Sequence, residues 1–130
     1  MPKATGSFEV ASWDEETYEE VGDGKLTRAS VTQTFTGDVD GEGAVQWLMS
    51  YRKDGTAHFV GLQRIRGTIG GRRGTVVLET IGDFDGKVAS GTWSVVPGGG
   101  SADLQQLRGT GSFEAPMGPK ASFELDYELE

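Results

Sequence analysis

The chain has no cysteine and a single histidine, and these two scarcities exclude several kinds of chemistry. Without cysteine there is no disulfide and no thiolate nucleophile. One imidazole, His58, cannot build a two-histidine or histidine–cysteine metal site. The acidic stretch DVDGEG at 38–43 lacks the ligand spacing of a complete calcium loop, so it predicts a turn. We therefore expect neither a metal nor another cofactor.

Basic residues are also few, with 12 Lys and Arg against 20 Asp and Glu and a net charge of -8. Such a chain repels nucleic acid and anionic membranes. No apolar run approaches the ~20 residues that a membrane-spanning helix needs. The first residues, MPKATGSFEV, contain no apolar signal core. We expect a cytoplasmic protein whose partners include neither nucleic acid nor membrane.

Proline is scarce, at 4 residues, whereas 21 glycines punctuate the chain at intervals. Between them lie runs rich in Thr, Val, Phe, Tyr and Trp, and none has a helical period of helix length. The pattern predicts strands near 5–20, 25–37, 43–53, 56–69, 72–82, 87–96, 104–114 and 120–129. Closure removes both exposed edges of such a sheet. We expect an all-β fold, an eight-stranded antiparallel up-and-down β-barrel formed by residues 1–130 as a single domain; a two-sheet sandwich is the alternative.

Strand alternation predicts which side chains face the interior. In KASFELDYELE at 120–130, Phe123 and Tyr127 share the apolar face. The aromatic residues Phe35 and Trp93 are also expected inside, as core or as cavity wall.

The hairpin AVQWLMSYRKDGTAHFVGLQRI at 44–65 is harder to orient, because both faces could be a core. A two-residue turn at Gly70-Gly71 pairs the next two strands and leaves arginines on one face, so the opposite face is interior. A two-residue turn at 54–55 extends that assignment to the preceding strand. The predicted inward residues are Gln46, Leu48, Ser50, Phe59, Gly61, Gln63, Ile65, Val76 and Leu78. Gly61 would leave room in the bore.

The same assignment places a bulky apolar group on the outside of the barrel. Its members are Trp47, Met49, Tyr51, Val60 and Leu62. An exposed patch of this kind usually marks a subunit interface, and two-fold symmetry is the commonest arrangement. We therefore expect a homo-oligomer, with a dimer favoured.

Several blocks together resemble a known family: VGLQRIRGTIGGRRGTVVLETIGDFDGKV at 60–88, VVPGGGSADLQQLRGTGSFE at 95–114 and LDYEL at 125–129. They look like an uncharacterised bacterial domain-of-unknown-function family with an allene-oxide-cyclase-like barrel. The resemblance implies eight strands, a central apolar cavity and a common tendency to oligomerise. It implies no settled reaction, and cyclisation or isomerisation is an analogy at the level of the fold. The chain departs from the family pattern at Gln63, often glutamate there, and at Val76, often phenylalanine.

Two candidate sites carry polar groups. Gln46 and Gln63 are predicted to face each other inside, either as a mutually satisfied amide pair or as anchors for a ligand. Trp13 and Glu15 point outward unless a bulge near Ser12 turns them in. An inward Glu15 in an apolar cavity would have a raised pKa and could act as a general base. A solvated acidic strand end is the alternative.

Three functions remain open at this point. The barrel could bind a small apolar molecule and act on it as a cyclase or isomerase. It could carry such a molecule without catalysis, since eight-stranded barrels can hold one small ligand. It could also be a structural oligomer with a filled interior.

Overall fold

A computed structural model of the protein describes residues 2–116 and 120–128. Over these residues the chain forms nine strands and no helix. The strands are β1 (Lys3–Val21), β2 (Gly24–Gly37), β3 (Val39–Tyr51), β4 (Ala57–Ile69), β5 (Arg72–Phe84), β6 (Val88–Val95), β7 (Ser101–Ala102), β8 (Arg108–Pro116) and β9 (Lys120–Glu128). Consequently, the described part of the chain contains no helix that is long and apolar enough to cross a membrane.

Eight of the strands close into an antiparallel barrel in the order β4-β3-β2-β1-β9-β8-β6-β5, with β5 pairing back to β4. The ninth, β7, is a two-residue strand paired with the start of β5. The predicted all-β, eight-stranded antiparallel barrel is therefore confirmed. Predicted and observed strands differ by a few residues, except that the segment predicted as a strand from 104 begins as a turn and becomes β8 only at Arg108.

The strands are long because they are staggered around the barrel axis. A path that steps from Glu15 to its paired residue on each next strand, first Ala29 and then Trp47, goes once around the barrel. It returns to β1 at Ala4 and not at Glu15. Such a stagger is what allows a sheet to close with tilted strands. The described pairs of β1 with β9 stop at Glu9, whereas the pairs of β1 with β2 continue to Val21. The second half of β1 and its partner β2 therefore extend beyond β9 and form one wall of the barrel mouth.

Aromatic rings fill most of the interior. Neighbouring ring centroids lie 5.2 Å apart for Phe8 and Phe35 and 5.5 Å apart for Trp93 and Phe123. Such separations are typical of favourable tilted and edge-to-face pairs. Glycines make room for these rings: a Cβ at Gly82 would lie 2.6 Å from the Phe59 ring. At the end opposite the mouth, Leu104 and Leu107 from the segment after β7 are buried in the same core. We call this the closed end.

The orientation predicted for β3 is wrong. Tyr51 pairs with Ala57, so the loop has five residues, 52–56, in place of a two-residue turn. The Asp54 carboxylate accepts a hydrogen bond from the Thr56 amide at 3.0 Å and stabilises this longer loop. Changing the pairing by one residue exchanges the two faces of a strand. The pairing predicted for β4 and β5, including Ile65 with Val76, is confirmed.

The inner and outer side chains of β3 are exchanged relative to the prediction. Gln46, Leu48 and Ser50, predicted inside, are exposed on the outer face, whereas Trp47 and Met49, predicted outside, are only 7% and 6% exposed. The predicted outer interface therefore does not exist in that form. The apolar residues that do lie outside on neighbouring strands are Leu48, Val60, Leu62 and Ile81, here called the outer apolar patch. Self-association stays a prediction, and of the residues on which it was based only Val60 and Leu62 belong to this patch.

Candidate functional site

A β-bulge in β1 creates the candidate site. The pairing of β1 with β2 shifts between Val10 and Ser12, as one of the two sequence alternatives required. After the shift Trp13 lies opposite Val31, and Glu15 lies opposite Ala29. Val31 and Ala29 are buried on the inner face of β2. The bulge therefore turns Trp13 and Glu15 toward the inner side of the barrel mouth, where Trp13 remains 47% exposed.

At the mouth, the aromatic core leaves a cavity of about 240 Å³. Its walls are formed by Phe8, Val10, Trp13, Trp47, Met49, Tyr51, Phe59, Phe84, Ala89, Phe113 and Ala115, which we call the mouth pocket. The Trp13 and Trp47 rings are in contact, with centroids 5.7 Å apart. Trp47 is fixed in turn by its indole N–H, which donates to the hydroxyl of buried Thr80 at 3.1 Å. The pocket thus combines a fixed inner wall with a partly exposed outer one.

Hydrogen bonds hold the Glu15 carboxylate at the edge of the mouth pocket. The Trp13 indole N–H donates to Oε1 at 3.0 Å, and the Thr27 hydroxyl donates to Oε2 at 2.6 Å. Partial burial alone would raise the pKa of Glu15. The hydrogen bonds from Thr27, Tyr51 and Trp13, together with the charge of Lys25, outweigh burial and bring the pKa below its ordinary value of 4.5. The raised pKa that the sequence analysis attached to an inward Glu15 is therefore replaced by a lowered one.

Tyr51 joins the apolar pocket to a polar cleft. Burial raises the pKa of Tyr51 from 10.0 to about 12, with a further contribution from its hydrogen bond to Glu15 and from that negative charge. The Lys25 ammonium lies 5.2 Å from the centroid of the Tyr51 ring. The polar cleft is lined by Glu15, Thr17, Glu20, Gly22, Asp23, Gly24, Lys25, Thr27, Tyr51, Arg52, Lys53 and Gly55. A ligand in the mouth pocket would therefore have polar groups within reach on one side only.

The structure distributes the predicted site residues over four places. Trp13 and Phe59 line the mouth pocket, and Glu15 lies at its edge. The predicted residues that belong to the buried interior are Phe35, Gln63, Ile65, Val76, Leu78, Trp93 and Phe123. Tyr127 is half-buried next to Gly70 on the loop after β4, whereas Gln46 and Ser50 lie outside. Gln46 accepts a hydrogen bond from Ser30 at 2.9 Å on the outer face, so it cannot reach Gln63 in the interior.

Two interior features differ from what the sequence suggested. Gln63 donates to the side-chain carbonyl of Gln33, and both residues are almost fully buried. An amide pair therefore exists, but with a different partner. Gly61 does not open the bore, because a Cβ there would lie 2.7 Å from Cδ1 of Trp47. The Trp47 ring already occupies the space that Gly61 leaves.

Sequence reasoning missed most of the pocket wall. A two-residue turn at 54–55 predicts Trp47, Met49 and Tyr51 on the outside, and Phe84, Ala89 and Ala115 have no sequence signal beyond strand alternation. One available sign was the Asp54-Gly55-Thr56 sequence, in which Asp54 can cap the Thr56 amide in a longer loop.

A larger depression of about 730 Å³ lies on the outside of the barrel across β5, β6, β8 and β9. Its floor consists mainly of short hydroxyl side chains and carboxylates, such as Ser90, Thr92, Ser112 and Glu114. Because it is open to solvent, it cannot desolvate a ligand as an enclosed cavity does. Among the described residues, no group of three His, Asp or Glu side chains is arranged to hold a metal ion. The mouth pocket is therefore the stronger candidate.

Fold and pocket together define a closed all-β barrel with an apolar cavity at one end. The chain belongs to the family described as "Protein of unknown function (DUF3224)", whose model matches residues 4–127. It is similar to the crystal structure of a DUF3224-family protein of unknown function from Shewanella oneidensis MR-1, with 26% identity, a TM-score of 0.85 and coverage of 100% of this chain and 98% of that one. No curated protein matches it. The resemblance to a family of unknown function is confirmed, whereas the likeness to allene oxide cyclases stays a prediction.

Proposed function

We propose that this protein binds a small, largely apolar molecule in the mouth pocket. One observation carries the proposal: in a barrel otherwise filled by aromatic rings, an apolar cavity of about 240 Å³ is left at the mouth. An engineered apolar cavity of roughly 150 Å³ binds benzene, and typical ligand pockets begin near 300 Å³. The expected ligand therefore has one or two rings, or an aliphatic body of that size.

The ionisable groups at the pocket favour binding over acid–base catalysis. A general base works best when its pKa lies near the working pH. The pKa of Glu15 is lowered and that of Tyr51 is raised to about 12, so both move away from neutrality. These two pKa shifts therefore favour a carrier or sensor of an apolar molecule over a cyclase or isomerase that uses Glu15 as its base.

Quenching of tryptophan emission by naphthalene tests the proposal, because Trp13 and Trp47 both line the pocket. Ligand efficiencies for molecules of this size imply a Kd between about 1 µM and 1 mM. The control variant Leu62→Ala removes the most exposed member of the outer apolar patch, at 58% exposure, and should leave the Kd unchanged. Absence of saturable quenching, or its loss in Leu62→Ala, would overturn the proposal.

A further inference from the structure

The electrostatics of the mouth point to the chemical class of the ligand. We propose that the mouth pocket selects a small organic cation, an alkyl or aryl ammonium, over a neutral or anionic molecule of the same shape. This inference rests on the proposed function, because it presupposes that the mouth pocket binds a ligand. It follows from the aromatic walls, from one half-buried carboxylate and from the position of Lys25.

Aromatic rings line the pocket on several sides. Trp47 contacts Trp13 on one side and Phe59 on the other, with centroids 5.7 and 5.4 Å apart. The planes of these pairs are tilted by 52° and 53°, so the rings do not stack flat on one another. With Tyr51 and Phe113 also in the wall, the cavity is surrounded by aromatic side chains. Ring faces attract cations, and aromatic cages recognise quaternary ammonium groups in this way.

Glu15 adds a negative charge on the same rim. Its carboxylate accepts a hydrogen bond from the indole N–H of Trp13, a wall residue. Glu15 is the half-buried charged group at the mouth. The other charged groups of the polar cleft are exposed; they are Glu20, Asp23, Lys25, Arg52 and Lys53. Solvent and salt screen exposed charges far more than partly buried ones. The least screened charge beside the cavity is therefore negative, and the net charge of -8 acts in the same direction.

Lys25 shows that this rim already accommodates an ammonium group. Its Nζ lies 5.2 Å from the centroid of the Tyr51 ring, and its charge contributes to the lowered pKa of Glu15. The positive charge of Lys25 also repels a second cation bound nearby. Removing it should consequently strengthen cation binding, whereas a site for an anionic head group would lose affinity. The sign of this effect separates the two classes of ligand.

A matched pair of probes tests charge without changing shape: phenyltrimethylammonium and its neutral isostere tert-butylbenzene. Titrations by tryptophan fluorescence on the full chain should give at least fivefold tighter binding of the cation, or about 1 kcal/mol. Glu15→Gln should reduce this preference severalfold and leave the Kd of tert-butylbenzene within about twofold. The control Glu16→Gln removes a neighbouring carboxylate that is 66% exposed and should change neither Kd.

The outcomes distinguish this inference from the function on which it rests. Equal binding of both probes, or tighter binding of tert-butylbenzene, overturns the cation preference and leaves the apolar-binding function standing. Binding of neither probe overturns the function itself. Lys25→Met provides the second readout, since it should tighten binding of phenyltrimethylammonium. Weaker binding in that variant, or tighter binding of benzenesulfonate than of the cation by the native protein, also overturns the inference. Thermal melting of each variant verifies that it is folded.

Discussion

Filling the mouth pocket from its wall should stabilise the protein and abolish ligand binding at the same time. Ala115 lines the pocket from β8, and its side chain is half-buried. Ala115→Leu adds three carbon atoms, worth about 0.8 kcal/mol each if they are buried in free apolar space. Ordering the leucine side chain costs roughly 0.5–1 kcal/mol. The variant should therefore be more stable by about 1.5 kcal/mol. Naphthalene should no longer quench its tryptophan emission.

Urea unfolding followed by tryptophan emission measures the change, and the melting temperature should rise by about 3–6 °C. The control is the same substitution at Ala4, which is 1% exposed and lies outside the mouth pocket. Ala4→Leu should overpack the core and destabilise the protein by about 1–3 kcal/mol. Destabilisation of the same size by Ala115→Leu would show that the cavity is not free space, and the proposed function would lose its basis.

Four further predictions test the orientation and chemistry of the barrel. Trp47→Ala should cost about 3–5 kcal/mol in urea unfolding, and Leu48→Ala less than about 1 kcal/mol, because only Trp47 is buried. Gly82→Ala should destabilise the protein by roughly 1–3 kcal/mol, since its Cβ would lie 2.6 Å from the Phe59 ring, and thermal melting would detect this. Tyr51 should ionise near pH 12 in a tyrosinate absorbance titration; its folded pKa is raised, so its contribution to stability is present below pH 10 and is lost as the pH rises toward 12. Because the folded pKa of Glu15 is lowered, its stabilisation is present above pH 4.5 and lost as the pH falls, and Glu15→Gln should flatten that part of the acid unfolding curve.

Strand positions could be predicted from the sequence because glycines interrupt the polar and apolar alternation at regular intervals. The Gly70-Gly71 turn also determined the pairing of β4 and β5, because both glycines adopt positive φ, 59° and 83°, in a two-residue turn. The neighbouring loop could not be read in the same way. Its length depends on a hydrogen bond from the Thr56 amide to the Asp54 carboxylate, and this sign is weaker than the Asp54-Gly55 pair, which by itself predicts a two-residue turn. The resulting shift of one residue in the pairing of β3 with β4 reversed every side chain of β3.

The site was less accessible from the sequence, for three physical reasons. A glycine facing the interior can mean empty space or a neighbouring ring, and at Gly61 the ring of Trp47 takes the space. The pKa of Glu15 depends on how burial compares with hydrogen bonding, and this comparison requires the positions of Thr27 and Tyr51. The bulge that turns Trp13 inward was one of two alternatives, since a bulge has no strong sequence signal.

Anomalous diffraction from crystals soaked in bromobenzene is the most direct test of a ligand-binding mouth pocket. The ring is of the size that the cavity of about 240 Å³ should accept. We expect a bromine peak inside the barrel mouth, in contact with Trp13, Trp47 and Phe113. Absence of bromine from the mouth, or peaks confined to the outer apolar patch at Leu48 and Leu62, would contradict the account.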